Sequence, residues 1–242
     1  MSIHWQIKTY DTLESTQYTL KTMIRQSPDL SEGVTVRAHL QTKGYGRHKR
    51  SWKGEDGNIS LSFVICPDTS PANAAQIAIV TGISLIKTIG KFIDQADLRL
   101  KWPNDVMINN KKCAGILVEN ISNQDTAYMV VGVGVNINNA PLEISESLNN
   151  YAHCQINLDA FINDFLSAFA TDYDIWKQEG FKPVKDQFIK HTYAVNTGVS
   201  VNLGTKQISG KFIDLDDNGN LEIKCNETHK IHKITSGEVF MM

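Results

Sequence analysis

Four short strand-like segments in the middle of the chain constrain its fold most strongly. They are short apolar runs bounded by turn residues, which is typical of β-strands. The Asn109-Asn110 pair between the second and third is typical of a hairpin turn. The chain is therefore predicted to contain a β-sheet. The four segments are Leu98–Lys101, Val106–Ile108, Ala114–Glu119 and Ala127–Val135.

Helical patterns lie on both sides of these strands. Ser15 or Thr16 can cap the first helix, and Ser70-Pro71 provides a cap followed by proline at the first position of the second. A third stretch repeats apolar side chains at helical spacing. The predicted elements are helices at 15–26, from Ser70 to about Phe92, at 157–177 and at 181–190, with further strands at Val34–Leu40 and Ile59–Ile65.

The pattern changes after Val195. Four short strand patterns follow, split by turn segments rich in Gly, Asn and Asp. Their sequences are VSVNL, KQISGKFIDLD, GNLEIKC and HKIHKI. They predict a small antiparallel, barrel-like module, so we expect two domains, residues 1–193 and 194–242.

Composition and charge exclude several classes of protein. With 242 residues of which 41% are hydrophobic, the chain can bury a sizeable core and is not disordered. The 24 Lys and Arg against 26 Asp and Glu argue against a general polyanion binder, although one local basic patch is compatible with them. The 4 cysteines show no metal or disulfide spacing. Without a signal core or a membrane-length apolar run, we expect a cytoplasmic protein that is not bound to a membrane.

The first candidate site is the basic segment GYGRHKRSW, which begins at Gly44. Gly44 and Gly46 allow the backbone to approach a ligand closely. Arg47, Arg50 and Trp52 are residue types suited to a phosphate-bearing nucleotide. The spacing matches neither a Walker phosphate loop nor G-x-G-x-x-G. Because a run of this kind is more often a solvated loop, composition alone leaves its role open.

Lys101 is the second candidate, at the end of a predicted strand. The residues after it are Trp102-Pro103-Asn104-Asp105. Pro103 excludes helical geometry at Trp102, so the lysine is held with little freedom. It is either a surface lysine beside a structural turn or a cation aimed at a carboxylate or phosphate.

Glycines that interrupt two apolar strands are the third candidate. Gly115 lies in CAGILVE, and Gly132 and Gly134 lie in VVGVGVNIN. Glycine weakens strand pairing unless a bulge or a close ligand requires the space, and crowded packing of the sheet is the simpler explanation. Asn136 is polar in the same apolar strand, where its amide could bond an adenine edge.

In chain order the motifs form one set, which resembles the biotin–protein ligases, also called biotin–[acetyl-CoA-carboxylase] ligases. The resemblance runs from about Ile7 to the C-terminus. The pentapeptide at Lys101 and the AGILVE strand are specific, and the basic loop is diagnostic together with them. The motifs are Glu14-Ser15-Thr16-Gln17, Gln41-x-x-Gly44-x-Gly46-Arg47-x-x-Arg50-x-Trp52, Asn58-x-x-Leu61-Ser62, Lys101-Trp102-Pro103-Asn104-Asp105, Lys112-x-Ala114-Gly115-Ile116-Leu117-Val118-Glu119 and Gly132-x-Gly134-x-Asn136.

The resemblance implies an α+β fold: a mixed-sheet catalytic domain of the class II synthetase-like biotin/lipoate ligase type, followed by a small SH3-like β-barrel. It implies that biotin and ATP, with Mg²⁺, form biotinyl-5′-AMP, and that biotin then passes to a lysine of the biotin carboxyl carrier protein of acetyl-CoA carboxylase. A homodimer that pairs sheet edges is also implied. Because the pattern begins within about ten residues of Met1, no N-terminal DNA-binding domain and no DNA partner are expected.

The resemblance also implies roles for individual residues. Lys101 and Arg47 would be catalytic, and Asp105 is the candidate protein ligand for Mg²⁺. Residues around biotin would be Ser15, Thr16, Gln17, Gln41, Gly44, Tyr45, Gly46, Arg47, Lys101, Gly115 and Gly132. Residues around ATP or the adenylate would be Arg47, Arg50, Trp52, Lys101, Asn104, Lys112 and Asn136.

The loop departs from the family pattern at two positions. Tyr45 stands where the family usually has Arg, and Lys49 stands where it usually has Gly. Tyr45 keeps a hydrogen-bond donor but lacks the charge, which bears on how tightly an adenylate is retained. Lys49 bears on the flexibility of the loop.

Two other functions are open. A lipoate–protein ligase shares the fold and the transfer to a carrier lysine, but its motifs differ from KWPND and GYGRHKRSW. A nucleic-acid-binding module would bind the nucleic acid through the basic loop. The net charge of −2 and the lack of interleaved aromatic residues argue against that second alternative.

Overall fold

A computed structural model describes residues 3–27, 29–67, 74–94, 96–124, 126–204 and 206–242. Its secondary structure alternates strands with helices in the first part of the chain and consists of strands alone after residue 191. The elements are β1 (Gln6–Leu13), α1 (Thr16–Gln26), β2 (Val34–Gln41), β3 (Ile59–Ile65), α2 (Ala74–Ile89), β4 (Leu98–Lys101), β5 (Asp105–Ile108), β6 (Lys111–Asn123), β7 (Thr126–Val135), α3 (Leu158–Glu179), α4 (Phe181–His191), β8 (Gly198–Asn202), β9 (Gln207–Leu215), β10 (Leu221–Cys225), β11 (Ile231–Ile234) and β12 (Glu238–Met241).

The strands form two sheets. The larger has seven strands in the order β1-β2-β3-β7-β6-β5-β4, and the smaller has five in the order β11-β10-β9-β8-β12. In the larger sheet β1 runs parallel to β2, whereas the other neighbours are antiparallel. The smaller sheet is antiparallel throughout. The predicted α+β class, with a mixed sheet followed by a small antiparallel module, is confirmed.

The two faces of the larger sheet differ in what covers them. On β7, Val131, Val133 and Val135 lie in the main apolar core together with side chains of α2 and α3. Successive residues of a strand point to opposite faces, so Gly132 and Gly134 face the other side. On that side α1 packs over part of the sheet. Gly132 lies against Gln17 of α1, whereas Gly134 lies against the Trp52 ring, which belongs to the loop after β2.

Most predicted elements are confirmed within a few residues. Ser15 caps α1, since its side chain accepts a hydrogen bond from the Tyr18 backbone N–H. Asn109 and Asn110 both have positive φ, 47° and 65°, in the turn from β5 to β6. The proposed start of α2 at Ser70-Pro71 lies outside the described residues.

Two strands were not predicted. Strand β1 lies at an edge of the larger sheet and is exposed along most of its length, so it lacks the alternation that marks a half-buried strand. Strand β12 is short and acquires its identity by pairing with β8, which precedes it by more than thirty residues. No helix within the described ranges is both long and apolar enough to cross a membrane.

The smaller sheet packs against the larger unit through specific polar contacts as well as a shared apolar core. The indole N–H of Trp102 donates to the Gly219 carbonyl at 2.9 Å, and Gln76 Nε2 donates to the Asp217 carbonyl at 2.8 Å. Lys185 pairs with Asp214 at 2.6 Å. These contacts join the end of β9 and the turn after it to the larger unit, and a separate contact between Arg50 and Glu238 joins β12 to the loop that precedes β3.

A chain ending at Tyr193 tests the proposed division into residues 1–193 and 194–242. We expect it to keep its helical circular dichroism, because all helices and the seven-stranded sheet precede that residue. Its unfolding free energy should fall by at least about 2 kcal/mol, since the hydrogen bonds of Trp102 and Gln76 to the smaller sheet are lost at about 1 kcal/mol each. Urea unfolding of the full and shortened chains measures this. An unfolded shortened chain would contradict the division.

Candidate active site

A cavity of about 640 Å³ opens on the α1 side of the larger sheet. Its walls come from the start of α1, the basic loop after β2, the turn after β4 and strand β12. The structure brings together at this cavity every site residue that the sequence predicted except Gly44. Those residues are Ser15, Thr16, Gln17, Gln41, Tyr45, Gly46, Arg47, Arg50, Trp52, Lys101, Asn104, Asp105, Lys112, Gly115, Gly132 and Asn136.

Gly44 is buried behind the loop rather than on the cavity wall. Its carbonyl accepts a hydrogen bond from the Trp52 backbone N–H at 2.9 Å. A Cβ at this position would lie 2.6 Å from the Trp52 carbonyl oxygen. The glycine is therefore required for the close approach of two backbone segments at the base of the loop.

The closed end of the cavity is a network of small polar side chains. The Gln41 Oε1 accepts from the Thr16 backbone N–H at 2.8 Å, and the Thr16 hydroxyl lies 2.8 Å from that of Ser62. The Ser62 hydroxyl donates to Gln17 Oε1 at 3.0 Å. Ser62 was not among the predicted site residues, although a polar residue inside the apolar strand ISLSFVI was a usable signal. Satisfied buried networks of this kind hold their polar atoms in defined directions.

The floor of the cavity is formed by glycines, with Trp52 lying directly on it. A Cβ on Gly134 would lie 2.3 Å from the Trp52 ring, and one on Gly115 would lie 3.0 Å from it. The ammonium of Lys112 lies 5.5 Å from the centre of the Trp52 ring. The glycines therefore make room for an aromatic ring at the cavity, and Gly134 belongs to the set although the sequence did not assign it a site role.

Two cations converge on the middle of the cavity. Lys101 and Arg47 are half-buried, and neither forms an ion pair with a carboxylate in the part of the chain that the structure describes. Lys101 Nζ lies 5.6 Å from the ring centre of Phe240 on β12. Arg47 donates to Asn104 Oδ1 at 3.3 Å, and burial lowers its pKa despite the opposing charge of Asp105. Positive charge that no carboxylate neutralises is suited to an anionic ligand.

Arg50 is held differently from Arg47. Its guanidinium forms two hydrogen bonds to Glu238 of β12, at 2.8 and 2.7 Å. This bond lowers the pKa of Glu238. A phosphate that binds Arg50 would have to share it with, or take it from, this carboxylate.

The loop backbone is left-handed at two non-glycine residues. His48 and Lys49 have φ values of 54° and 58°. Such values cost an ordinary residue about 1 kcal/mol or more, whereas glycine adopts them freely. The Lys49 position, where the resemblance implies glycine, thus keeps the conformation that glycine favours.

Asp105 is a carboxylate on the cavity wall beside Lys112. Its Oδ1 is buried and lies 2.6 Å from Lys112 Nζ in an ion pair. Within the described ranges no group of three His, Cys, Asp or Glu side chains could hold a metal ion. This arrangement fits a divalent cation that brings substrate phosphates as most of its ligands, with at most a single carboxylate from the protein.

Replacing Gly134 with alanine should push the Trp52 ring off the floor. Strand β7 pairs on both sides at Gly134, with Ser60 and Gly115, so its backbone cannot retreat from the new methyl group. We expect the Trp52 emission to shift to the red, as measured by difference against the same chains carrying Trp52→Phe. The loss of unfolding free energy should stay below about 1 kcal/mol because the half-buried ring can swing outward.

The matched control is Gly46→Ala in the same cavity. There the nearest atom to a new Cβ is the Arg50 carbonyl oxygen at 3.9 Å, so the Trp52 emission should not change. An unchanged spectrum in Gly134→Ala would contradict the placement of the ring.

Comparisons with known proteins agree with this architecture. The model of the Biotin/lipoate A/B protein ligase family matches residues 10–136, and that of the Biotin protein ligase C terminal domain matches residues 196–242. The bifunctional ligase/repressor BirA of Bacillus subtilis is 30% identical, over 95% of this chain and 72% of its own length. The biotin–[acetyl-CoA-carboxylase] ligase of Paracoccus denitrificans is 28% identical, over 94% of this chain and 98% of its own length.

A solved structure extends the comparison to the whole fold. The biotin protein ligase of Aquifex aeolicus in complex with biotin and ATP superposes with a TM-score of 0.82 at 27% identity, over 98% of both chains. The chain thus belongs to the biotin/lipoate A/B protein ligase family, as one of its biotin protein ligases.

Proposed function

We propose that this enzyme joins biotin to ATP to form biotinyl-5′-AMP and then transfers biotin to one lysine of a biotin carboxyl carrier protein. The observation that carries the proposal is a pair of cations, Lys101 and Arg47, that have no carboxylate partner among the described residues and lie between a closed polar end and an aromatic, glycine-floored end of one cavity. Such a cavity suits a substrate with a polar head and an anionic tail that meets a nucleotide phosphate. A reaction that consumes ATP is also compatible with the cytoplasmic location expected from the sequence.

The polar end would hold the ureido ring of biotin. That ring offers two N–H donors and a carbonyl acceptor, which hydroxyl and amide side chains can satisfy. Thr16, Ser62 and Gln17 line the cavity and supply such groups, and their mutual hydrogen bonds at 2.8 and 3.0 Å fix their positions. Gly132 leaves room for the Gln17 side chain because it has no Cβ, and a Cβ there would lie 2.7 Å from Gln17 Oε1.

The first step would take place beside Lys101 and Arg47. A carboxylate oxygen of biotin attacks the α-phosphorus of ATP, a new P–O bond forms, and the bond to the bridging oxygen breaks to release pyrophosphate. Two anions must meet for this attack, so fixed positive charge lowers the repulsion and stabilises the charge that develops. Asn104 keeps Arg47 in place and is itself held by the bond from its Nδ2 to the Ile116 carbonyl at 2.8 Å.

The nucleoside would lie at the aromatic end. Trp52 offers a ring face, and Asn136 offers its side-chain amide. The backbone N–H of Asn136 donates to the Cys113 carbonyl at 2.8 Å, which fixes the position of this residue. Mg²⁺, held on the ATP phosphates with Asp105 as the protein carboxylate, would neutralise phosphate charge. Lys112 lines the cavity and pairs with Asp105, so a Mg²⁺ that took this carboxylate would replace the lysine there and leave its charge for a phosphate.

In the second step the uncharged amine of the carrier lysine attacks the acyl carbon of the mixed anhydride. The C–N bond forms, the C–O bond to AMP breaks, and the lysine loses a proton. Until then the anhydride must be kept from water, and a closed loop excludes water from it. The basic loop is a tight turn in this structure, with the Gly46 N–H bonded to the Arg50 carbonyl at 2.8 Å.

Transfer of labelled biotin to a purified carrier domain tests the proposal. We expect acid-precipitable label that requires ATP, appears on the parent carrier and is absent when its acceptor lysine is replaced by arginine. Lipoate offered in place of biotin should give no label. Label from lipoate alone would assign the chain to the alternative ligase activity, and no label from either would contradict the proposal.

Lys101→Ala should damage the first step far more than it weakens biotin binding. The lysine faces the point where carboxylate and phosphate meet, so its contribution is greatest in the transition state. We expect the rate of adenylate formation to fall by about 100-fold or more. Biotin-dependent pyrophosphate exchange measures the rate, and equilibrium binding measures the affinity for biotin.

Lys43→Ala is the control for the loss of a positive charge nearby. Lys43 is exposed, pairs with Glu14 at 2.7 Å and does not line the cavity. Its exchange rate should equal that of the parent. A Lys101→Ala rate within about tenfold of the parent would contradict the assigned role.

A further inference from the structure

A second cavity of about 620 Å³ lies beside the first. It is more open, and its wall combines loop residues with residues of α1 and β6. The two cavities share Tyr45, Gly46, Arg47, His48 and Leu117. The basic loop is thus the partition between the substrate cavity and an outer depression.

Tyr45 joins this partition to the body of the enzyme through Glu119. The Tyr45 hydroxyl donates to Glu119 Oε2 at 2.9 Å, and Glu119 Oε1 accepts from Lys21 Nζ at 2.9 Å. Lys21 Nζ also lies 5.6 Å from the centre of the Tyr45 ring. The Glu119 carboxylate therefore links the loop, through Tyr45, and helix α1, through Lys21, to strand β6.

The Lys21–Glu119 pair behind this contact is better shielded from water than the Lys43–Glu14 pair at the start of the loop. The side chains of Lys21 and Glu119 are 17% and 29% exposed, whereas those of Lys43 and Glu14 are 70% and 59% exposed. Hydrogen bonds to a charged acceptor are stronger than neutral ones, and shielding preserves them. Burial raises the pKa of Tyr45, so its hydroxyl stays a donor at neutral pH.

We propose that Tyr45 is a positioning residue whose hydroxyl, bonded to Glu119, keeps the basic loop closed over the activated biotin. The proposal rests on the proposed function for the identity of that intermediate. Lys21 orients the Glu119 carboxylate so that its other oxygen faces Tyr45. The hydroxyl acts on the lifetime of the closed loop and takes no part in bond formation.

Tyr45→Phe tests the role of the hydroxyl, because it removes one oxygen and keeps the ring. The enzyme is allowed to form labelled biotinyl-5′-AMP without carrier, and release into solution is followed after a chase. We expect release to become about tenfold faster, the size expected for loss of one hydrogen bond to a charged group. Adenylate formation is measured in the same variant, and release is expressed as a fraction of the adenylate formed.

Tyr18→Phe is the matched control. Tyr18 lines the same outer cavity and is 54% exposed, but it does not contact Glu119 through its hydroxyl. Its release rate should equal that of the parent. Equal release rates in Tyr45→Phe and the parent would overturn the proposal.

The role of Glu119 as the hydrogen-bond partner of Tyr45 is tested by combining variants. Glu119→Ala should also speed release, and Tyr45→Phe combined with Glu119→Ala should be no faster than the faster single variant, because both remove the same bond. Tyr45→Arg should release the adenylate more slowly than Tyr45→Phe, since a guanidinium can pair with the Glu119 carboxylate. This difference should disappear when both variants also carry Glu119→Ala. Additive acceleration in the double variant would overturn the proposal.

Trypsin cleavage of the ligand-free enzyme separates this proposal from the proposed function. The loop carries Arg47, Lys49 and Arg50, which are unchanged in Tyr45→Phe. Faster cleavage there in Tyr45→Phe but not in Tyr18→Phe supports the closing contact even if no adenylate forms in the parent, whereas equal cleavage opposes it. Absence of adenylate in the parent contradicts the proposed function alone.

Discussion

The alternation of valine and glycine along β7 is the constraint on which the rest of the site depends. Because successive residues of a strand point to opposite faces, one apolar sequence builds both the core and the cavity floor. Val131, Val133 and Val135 bury one face under α2 and α3. Gly132 and Gly134 leave the other face low enough for Gln17 and the Trp52 ring to lie on it. Any larger side chain at these glycines would fill the space that the cavity needs.

Positive charge then accumulates over that floor, held by elements that are distant in sequence. Lys101 is fixed by the end of β4, and Arg47 is held by Asn104, which β6 holds in turn. Strand β12 adds Glu238 and Phe240 to the same wall. The small C-terminal sheet is therefore part of the cavity, and its contact through Trp102 keeps it there.

Local signals singled out several residues of the cavity, and the family resemblance joined them into one set. A glycine inside an apolar strand, a lysine before a proline turn and a serine at a helix start each leave a mark within a few residues. Ser62 and Gly134 also left such marks, but their roles depend on what the opposite segment places beside them. Strand β12 left almost none, because it is short and becomes a strand by pairing with β8.

The sequence by itself determined the α+β class, the order of helices and strands in the larger unit apart from β1, and the residue types that meet at the cavity. The elements follow from periodicity, capping and turn chemistry, which act over short stretches of chain, whereas the fold class and the set of site residues are what the family resemblance implies. Only the tertiary structure decided that Arg50 is held by Glu238, that Tyr45 reaches Glu119, and that Gly44 lies behind the loop. Each of these contacts joins residues that are adjacent because the sheet and the loop fold around one another, and such pairing depends on distances that no local pattern encodes.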